Sequence, residues 1–151
     1  MKLKVLVGSG DRIMLFTLPF VALGVITNVM SPSLFDLGGP SGVLEGIAIG
    51  LLALGVAIWA WSALLILTTV PGKKLITTGP FAVVRHPLYT GVSLLVLPAA
   101  GVLLNTWLGV AIGIVMYTAS RIFSREEEKR LSEMFGARWD EYRKQVKIPW
   151  L

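Results

Sequence analysis

Apolar residues fall in four long runs separated by short polar stretches. Residues 13–30 (IMLFTLPFVALGVITNVM) make the first run. A helix that crosses a membrane needs ~20 apolar residues, so this run predicts a span, with an expected kink at Pro19. Residues 31–42 (SPSLFDLGGPSG) are dense in Pro, Gly and Ser and predict a loop. Residues 43–70 predict a second span, long enough to tilt, with Glu45 near its outer end. Residues 71–87 form a basic loop carrying Lys73, Lys74 and Arg85. Residues 88–104 are a third run, Asn105-Thr106 a tight turn, and 107–122 a fourth run; from Arg121 onward the chain is strongly charged. The expected architecture is a single all-α membrane domain: four transmembrane helices and a cytosolic helical tail, 123–151.

Composition agrees. The chain is 54% hydrophobic and 15% charged, against about 25% charged in soluble domains. No Lys or Arg lies between residues 13 and 72, where Asp36 and Glu45 are the only acids. All 14 Lys and Arg fall in the N-terminal segment, the 71–87 loop, or the region from Arg121 onward. With four spans and a cytosolic N-terminus, all three basic segments are cytosolic and the outer loops carry no basic residue, as the positive-inside rule requires. Both termini are therefore expected in the cytosol. The basic residues are membrane-side charges, and no nucleic-acid partner is expected.

The start, MKLK, resembles a signal-peptide head. However, Lys2, Lys4, Asp11 and Arg12 spread the charge, and no small-x-small cleavage pattern follows, so a retained first span is expected. VLVGSGD, residues 5–11, looks like a strand entering a nucleotide loop. It lacks the third glycine and the βαβ context that such a loop needs. Cysteine is absent and histidine occurs once, which removes disulfides, thiolate chemistry and His-based metal clusters.

Two segments carry candidate chemistry. The first is SREEEKRLSEMFG, residues 124–136, a helix that Gly136 should stop. Residues turn by about 100° each, so Phe135 lies about 40° to one side of Leu131 and Met134 about 60° to the other. These three are the expected apolar stripe. Glu127 and Glu128 lie within it, whereas Glu126 lies about 140° away with Glu133 and Lys129. A carboxylate on an apolar face is costly unless paired. Glu127 and Glu128 are therefore functional candidates, and Glu126 is an expected surface residue with Arg130 as its partner. The second segment is TTGPFAVVRHPLYTG, residues 77–91. Pro87 suits a first helical turn. Arg85, His86 and free backbone N–H groups then surround the positive end of a helix, which favours an anion. Tyr89 lies one turn in. Both segments belong to one membrane face, an arrangement suited to a mixed-charge ligand from the cytosol beside a lipid-soluble one.

The residues GPF…RHPLYTG (79–91) and EEKRLSEMFGARWDEYRKQV (127–146) resemble the membrane methyltransferases, which include isoprenylcysteine carboxyl methyltransferases and phospholipid N-methyltransferases. The resemblance covers residues 73–146. It implies an enzyme that binds S-adenosylmethionine on the cytosolic side beneath a closing tail and methylates a lipophilic or lipidated acceptor from the bilayer. Carried over by position, Lys73, Lys74, Leu75, Ile76, Phe81, His86, Pro87, Leu88, Tyr89 and Glu127 are expected at the cofactor; Arg85 joins them from the cationic helix start, and Glu127 and Glu128 are candidate proton acceptors. Two positions depart from the pattern. Trp139 stands where the family usually has Tyr. Phe123 stands where the isoprenylcysteine branch has an arginine for the substrate carboxylate. Arg121 and Arg125 are the nearest cations, and either is a candidate replacement; Arg121 joins Glu127 and Glu128 among the catalytic candidates. Two other readings remain open: an NADPH-dependent membrane reductase of sterol-reductase type, and a non-catalytic four-span transporter or scaffold in which Glu45 would matter.

Overall fold

Helix boundaries follow the punctuation of the sequence. The computed structural model describes residues 9–72 and 74–149. Within them α1 runs Gly10–Met30 with Pro19 inside it, and α2 runs Gly42–Thr69. Ser41 caps α2, its hydroxyl accepting from the Leu44 N–H at 3.3 Å. Glu45 lies exposed in the first turn of α2. The helix tightens into a 3-10 turn over Val70–Gly72, where Pro71 has no N–H to continue the ladder. Helix α3 runs Pro87–Leu103 and opens on Pro87. Helix α4, Leu108–Phe135, ends at Gly136, whose φ of 52° an L side chain rarely adopts. Helix α5 is Ala137–Gln145. No strand occurs among the described residues; residues 5–8 of the glycine-rich stretch lie outside them, and Ser9 is the N-cap of α1.

The structure departs from the expected elements in two places. The fourth apolar run and the tail helix, expected to part near residue 122, are one uninterrupted helix of 28 residues. At 1.5 Å per residue that is about 42 Å, longer than the ~30 Å hydrocarbon layer. The glutamate run therefore stands on a rigid extension of a helix rooted in the bundle. Met134 is 60% exposed and does not share the stripe of Leu131 and Phe135. Among the described residues, the chain leaving Gly136 folds α5 back over Leu131 and Phe135 and leaves Met134 exposed.

Two helical stretches, Gly10–Met30 and Gly42–Gly72, are long and apolar enough to cross a membrane. The principal packings run α1 on α4, α4 on α3, and α3 on α2. At one end Trp107 ties the loop after α1 to the turn between α3 and α4. Its indole N–H donates to the Leu34 carbonyl at 3.0 Å and its backbone N–H to that of Phe35 at 2.9 Å. Asn105, at φ 56°, donates its side-chain N–H to Asp36 at 2.6 Å.

Helix α3 carries a π segment at Val92–Val96, where the Leu97 N–H reaches back five residues to the Val92 carbonyl. Pro98 follows directly and has no N–H for the Leu94 carbonyl, which is a physical reason for the ladder to widen there. The π segment sets the Ser93 carbonyl against α4. A Cβ on Gly113 would run into that oxygen, and one on Gly109 would stand 2.7 Å from the Gly101 Cα. Small residues that let backbones meet are the usual glue between apolar helices.

This seam yields a paired prediction. Gly113→Leu forces α3 and α4 apart and should cost ~1–3 kcal/mol or more. Gly50→Leu, on α2 where an added Cβ meets nothing within 4 Å, should not. Thermal unfolding in detergent reads both; equal midpoints for the two variants would overturn the seam.

Candidate functional site

The loop before α3 climbs through a 3-10 turn at Gly79–Ala82 to buried Val84, then Arg85 and His86. Gly79 has φ +61° beneath the Trp61 ring, which a Cβ would approach to 3.1 Å. His86 is the N-cap of α3 and is 8% exposed. Pro87, behind it, is fully buried.

The extension of α4 presents three successive carboxylates to this end of the bundle: Glu126 and Glu127 meet α1 and its N-cap, and Glu128 meets the start of α3. Glu126 is exposed and pairs with Arg12 of α1 and, at 3.4 Å, with Arg130. Glu127 accepts from Ser9 twice, from the backbone N–H at 3.1 Å and from the hydroxyl at 2.7 Å. Glu128 accepts from Arg85 Nη1 at 2.8 Å, and its Oε1 lies 3.1 Å from His86 Nε2. The helix phase read from the sequence thus separates Glu126 from the other two. Glu127 and Glu128 lie on one side of α4 but serve two elements. Arg121 is half-buried on α4 and has no hydrogen-bond or ion-pair partner among the described residues.

Burial alone would raise the Glu128 carboxyl. The hydrogen bond from His86, then the charges of Arg85, His86 and Arg143, outweigh burial and hold it below its ordinary value of 4.5. The His86 ring stacks on Tyr89, with centroids 6.4 Å apart and planes 30° apart. Tyr89 in turn makes a side-chain hydrogen bond with Ser9. Two buried polar atoms here have no partner among the described residues: Arg85 Nε and Ser124 Oγ, the latter one turn before Glu128.

Helix α5 and the strand-like end of the tail strap over the loop. Trp139, Tyr142 and Val146 form a buried cluster, against which Leu75, Leu131 and Phe135 pack. Trp139 is therefore a packing residue of the tail. Burial pushes the Tyr142 phenol up to about 12, so it stays protonated and donates to the Phe81 carbonyl at 2.8 Å. The backbone N–H groups of Lys147 and Ile148 donate to the carbonyls of Ala82 and Val83, at 3.3 and 2.9 Å. Arg85 Nη2 donates to the Pro149 carbonyl at 2.6 Å. Lys74 is exposed, Ile76 and Leu88 are half-buried, and Lys73 lies outside the described residues.

Two cavities flank the start of α3. A polar cleft of about 220 Å³ between α1 and α4 is lined by Ser9, Arg12, Phe123, Glu126, Glu127 and Arg130, among others. Phe123 meets Phe16 edge-on at 5.8 Å. An apolar groove of about 500 Å³ between α2 and α3 is lined chiefly by Ile58, Trp61, Val83, Val84, Leu94 and Leu95.

The sequence reading missed four members of this end. Ser9 was legible as a helix start, since Ser-Gly-Asp before an apolar run is an N-terminal signal. Ser124 lies one turn before Glu128 on the same side. Tyr142 was legible within the resemblance. Nothing in the local sequence singles out Arg143.

A model of the isoprenylcysteine carboxyl methyltransferase family matches residues 43–133, more than half of the chain. No curated protein and no solved structure gives a significant match. The matched stretch holds α2, the RHPLYTG loop, α3 and the glutamate run that meets it, and the chain therefore belongs to the isoprenylcysteine carboxyl methyltransferase family, a family of membrane methyltransferases.

Proposed function

We propose that this protein transfers a methyl group from S-adenosylmethionine to a lipophilic acceptor at the cytosolic face of a membrane. The observation that carries the reading is the junction of Arg85 and His86 with Glu128, by which a rigid helix and a strapping tail close over the loop. The donor set fits the methyl donor. Glu127 offers a carboxylate to its ammonium, Arg85 and His86 offer cationic or N–H partners to its carboxylate, and Tyr89 and Phe81 offer rings to its sulfonium and adenine. Arg85 Nε and Ser124 Oγ, buried without partners, supply spare hydrogen-bonding capacity at the same place.

S-adenosylmethionine supplies a methyl on a sulfonium. The bond from that methyl to sulfur breaks as the acceptor's nucleophile bonds to it, and the sulfur keeps the electron pair. The protein's part is alignment, which supplies roughly 7–11 kcal/mol in favourable cases. The tail strap excludes water, and the apolar groove leads a hydrocarbon chain toward the start of α3. A carboxylate acceptor needs no base. An amine acceptor must lose a proton, which Glu127 or Glu128 would accept if its pKa were raised; for Glu128 that requires ligand binding to remove the His86 and Arg85 partners that hold it low.

The topology supporting this reading has four spans and both termini inside, since every basic residue then lies on one side. A reporter fused after Leu151 is expected to be cytosolic. Its appearance on the outer face would overturn the topology.

Calorimetry with S-adenosylhomocysteine tests the donor. Binding in the micromolar range or tighter is expected, roughly −8 kcal/mol, whereas NADPH binding without it would favour the reductase. Glu126→Gln removes an exposed pair and should change affinity by less than about fivefold. Glu127→Gln should weaken it about tenfold or more, since a hydrogen bond to a charged group is worth roughly 1.5–3 kcal/mol. Equal effects of the two would remove Glu127 from the site.

The depressed Glu128 pKa gives a pH dependence of known sign. Its carboxylate form favours the closed tail. That contribution is complete above the ordinary value of 4.5 and is lost as pH falls through the lower folded value. Hydrogen exchange over residues 137–149 should therefore lose protection as pH falls below about 4.5, and Glu128→Gln should flatten that dependence. An unchanged profile in the variant would break the link between Glu128 and the tail.

A further inference from the structure

The outward side of α4 changes character along its length. Ile114 is 60% and Ile122 53% exposed. Thr118 between them is exposed but donates its hydroxyl to the Ile114 carbonyl at 2.8 Å, which leaves its methyl to cover the surface. Farther along the same side lie Arg125 and Lys129, both exposed, with half-buried Arg121 at the edge. Four-residue spacing sets the three cations on successive turns, about 6 Å apart along the axis. The other sides of this helix are covered by α3 and α1.

These three cations make none of the contacts described at the site. Glu126, Glu127 and Glu128 lie within the same turns, yet all three point to Arg12, Ser9, Arg85 and His86. Arg121, Arg125 and Lys129 have no hydrogen-bond or ion-pair partner among the described residues. The resulting strip is apolar for two turns and cationic for the next two, which is the profile of a lipid in reverse charge. Guanidinium matches a phosphodiester in a fork, and basic groups at headgroup depth attract anionic lipid.

We propose that this side of α4 docks an anionic phospholipid, its acyl chain along Ile114, Thr118 and Ile122 and its phosphate on Arg121, Arg125 and Lys129. The proposal rests on the reading above that α4 crosses the membrane with its last third on the basic side. An anionic headgroup such as glycerol leaves the phosphate charge uncompensated. A choline headgroup carries its own cation and competes with the strip. The docked lipid is a bound partner and not the methyl acceptor.

The test uses the full chain in nanodiscs of phosphatidylcholine containing a minority of phosphatidylglycerol, with the lipids retained after detergent extraction counted by native mass spectrometry. The parent protein is expected to retain phosphatidylglycerol in excess of its share. Arg125→Gln with Lys129→Gln should cut that excess at least about fivefold, the worth of one basic residue near an anionic surface. Arg138→Gln with Lys144→Gln, which removes two exposed cations from α5, should leave it within about twofold. No excess in the parent, or equal losses in both double variants, would overturn the strip, the latter by assigning the preference to net charge. If the Arg125–Lys129 double variant fails to fold, the single substitutions Arg125→Gln and Lys129→Gln carry the same comparison. Lipid retention does not depend on methyl transfer. A failed strip with a cytosolic Leu151 reporter leaves the proposed function standing, and an external reporter removes both.

Discussion

A carboxylate can hold only the groups its helix aims it at, and α4 aims three in succession by turning about 100° per residue. Glu127 sits at the N-terminal end of α1, where Ser9, the N-cap residue, gives its hydroxyl and N–H to Glu127 and makes no side-chain cap bond to its own helix. Glu128 sits at the N-terminal end of α3, against its N-cap residue His86. Two adjacent acids of one helix thus lie at the positive ends of two others, where the backbone N–H groups lack partners and negative charge is favoured. Glu126, one step away, holds α1 from outside through Arg12. Because α4 is unbroken from the bundle to Phe135, these contacts report to one rigid body.

That rigidity depends on how closely α4 lies on α3. Gly109 and Gly113 bring its backbone against Gly101 and the Ser93 carbonyl. The π segment widens α3 where it meets this seam, one residue short of Pro98. Any outward shift of α4 at the seam would move Glu128 relative to Arg85, whose side chain is only 10% exposed and whose guanidinium also holds the end of the tail. A buried guanidinium that loses its carboxylate is expensive, so the site and the apolar packing stabilise one arrangement together.

Much of this was legible in the sequence because it rests on local chemistry. Pro87 opening a helix, Gly136 closing one, Asn105 turning the chain and the phase of the glutamate run are each decided within a turn or two. The parts that were not legible depend on distant partners. The fourth apolar run was expected to end at residue 122 because charge begins there. A helix continues into a charged stretch when its polar residues find partners, and Glu126, Glu127 and Glu128 find theirs in α1 and the loop before α3. Met134 has the right spacing for the apolar stripe, but burial there is decided by where α5 folds back after Gly136. Ser9 acts through Glu127, a residue 118 positions away, a distance no local pattern spans.

The start of α3 also lies near two cavities of opposite character, one polar and one apolar. Pro87, fully buried, lines the apolar groove toward α2, while His86 and Tyr89 face the acids of α4 and Ser9. The polar cleft beside α1 has Phe123 in its wall, packed edge-on against Phe16. Under the proposed function an arginine there would bring a cation to the acceptor's head; Phe123 brings none. Its neighbours Arg12 and Arg130 are both drawn to Glu126, which leaves Glu127 to a neutral hydroxyl and an N–H. Under the proposed function the cation-seeking group of this cleft is Glu127, and a methyl donor that displaces Ser9 from it brings positive charge of its own.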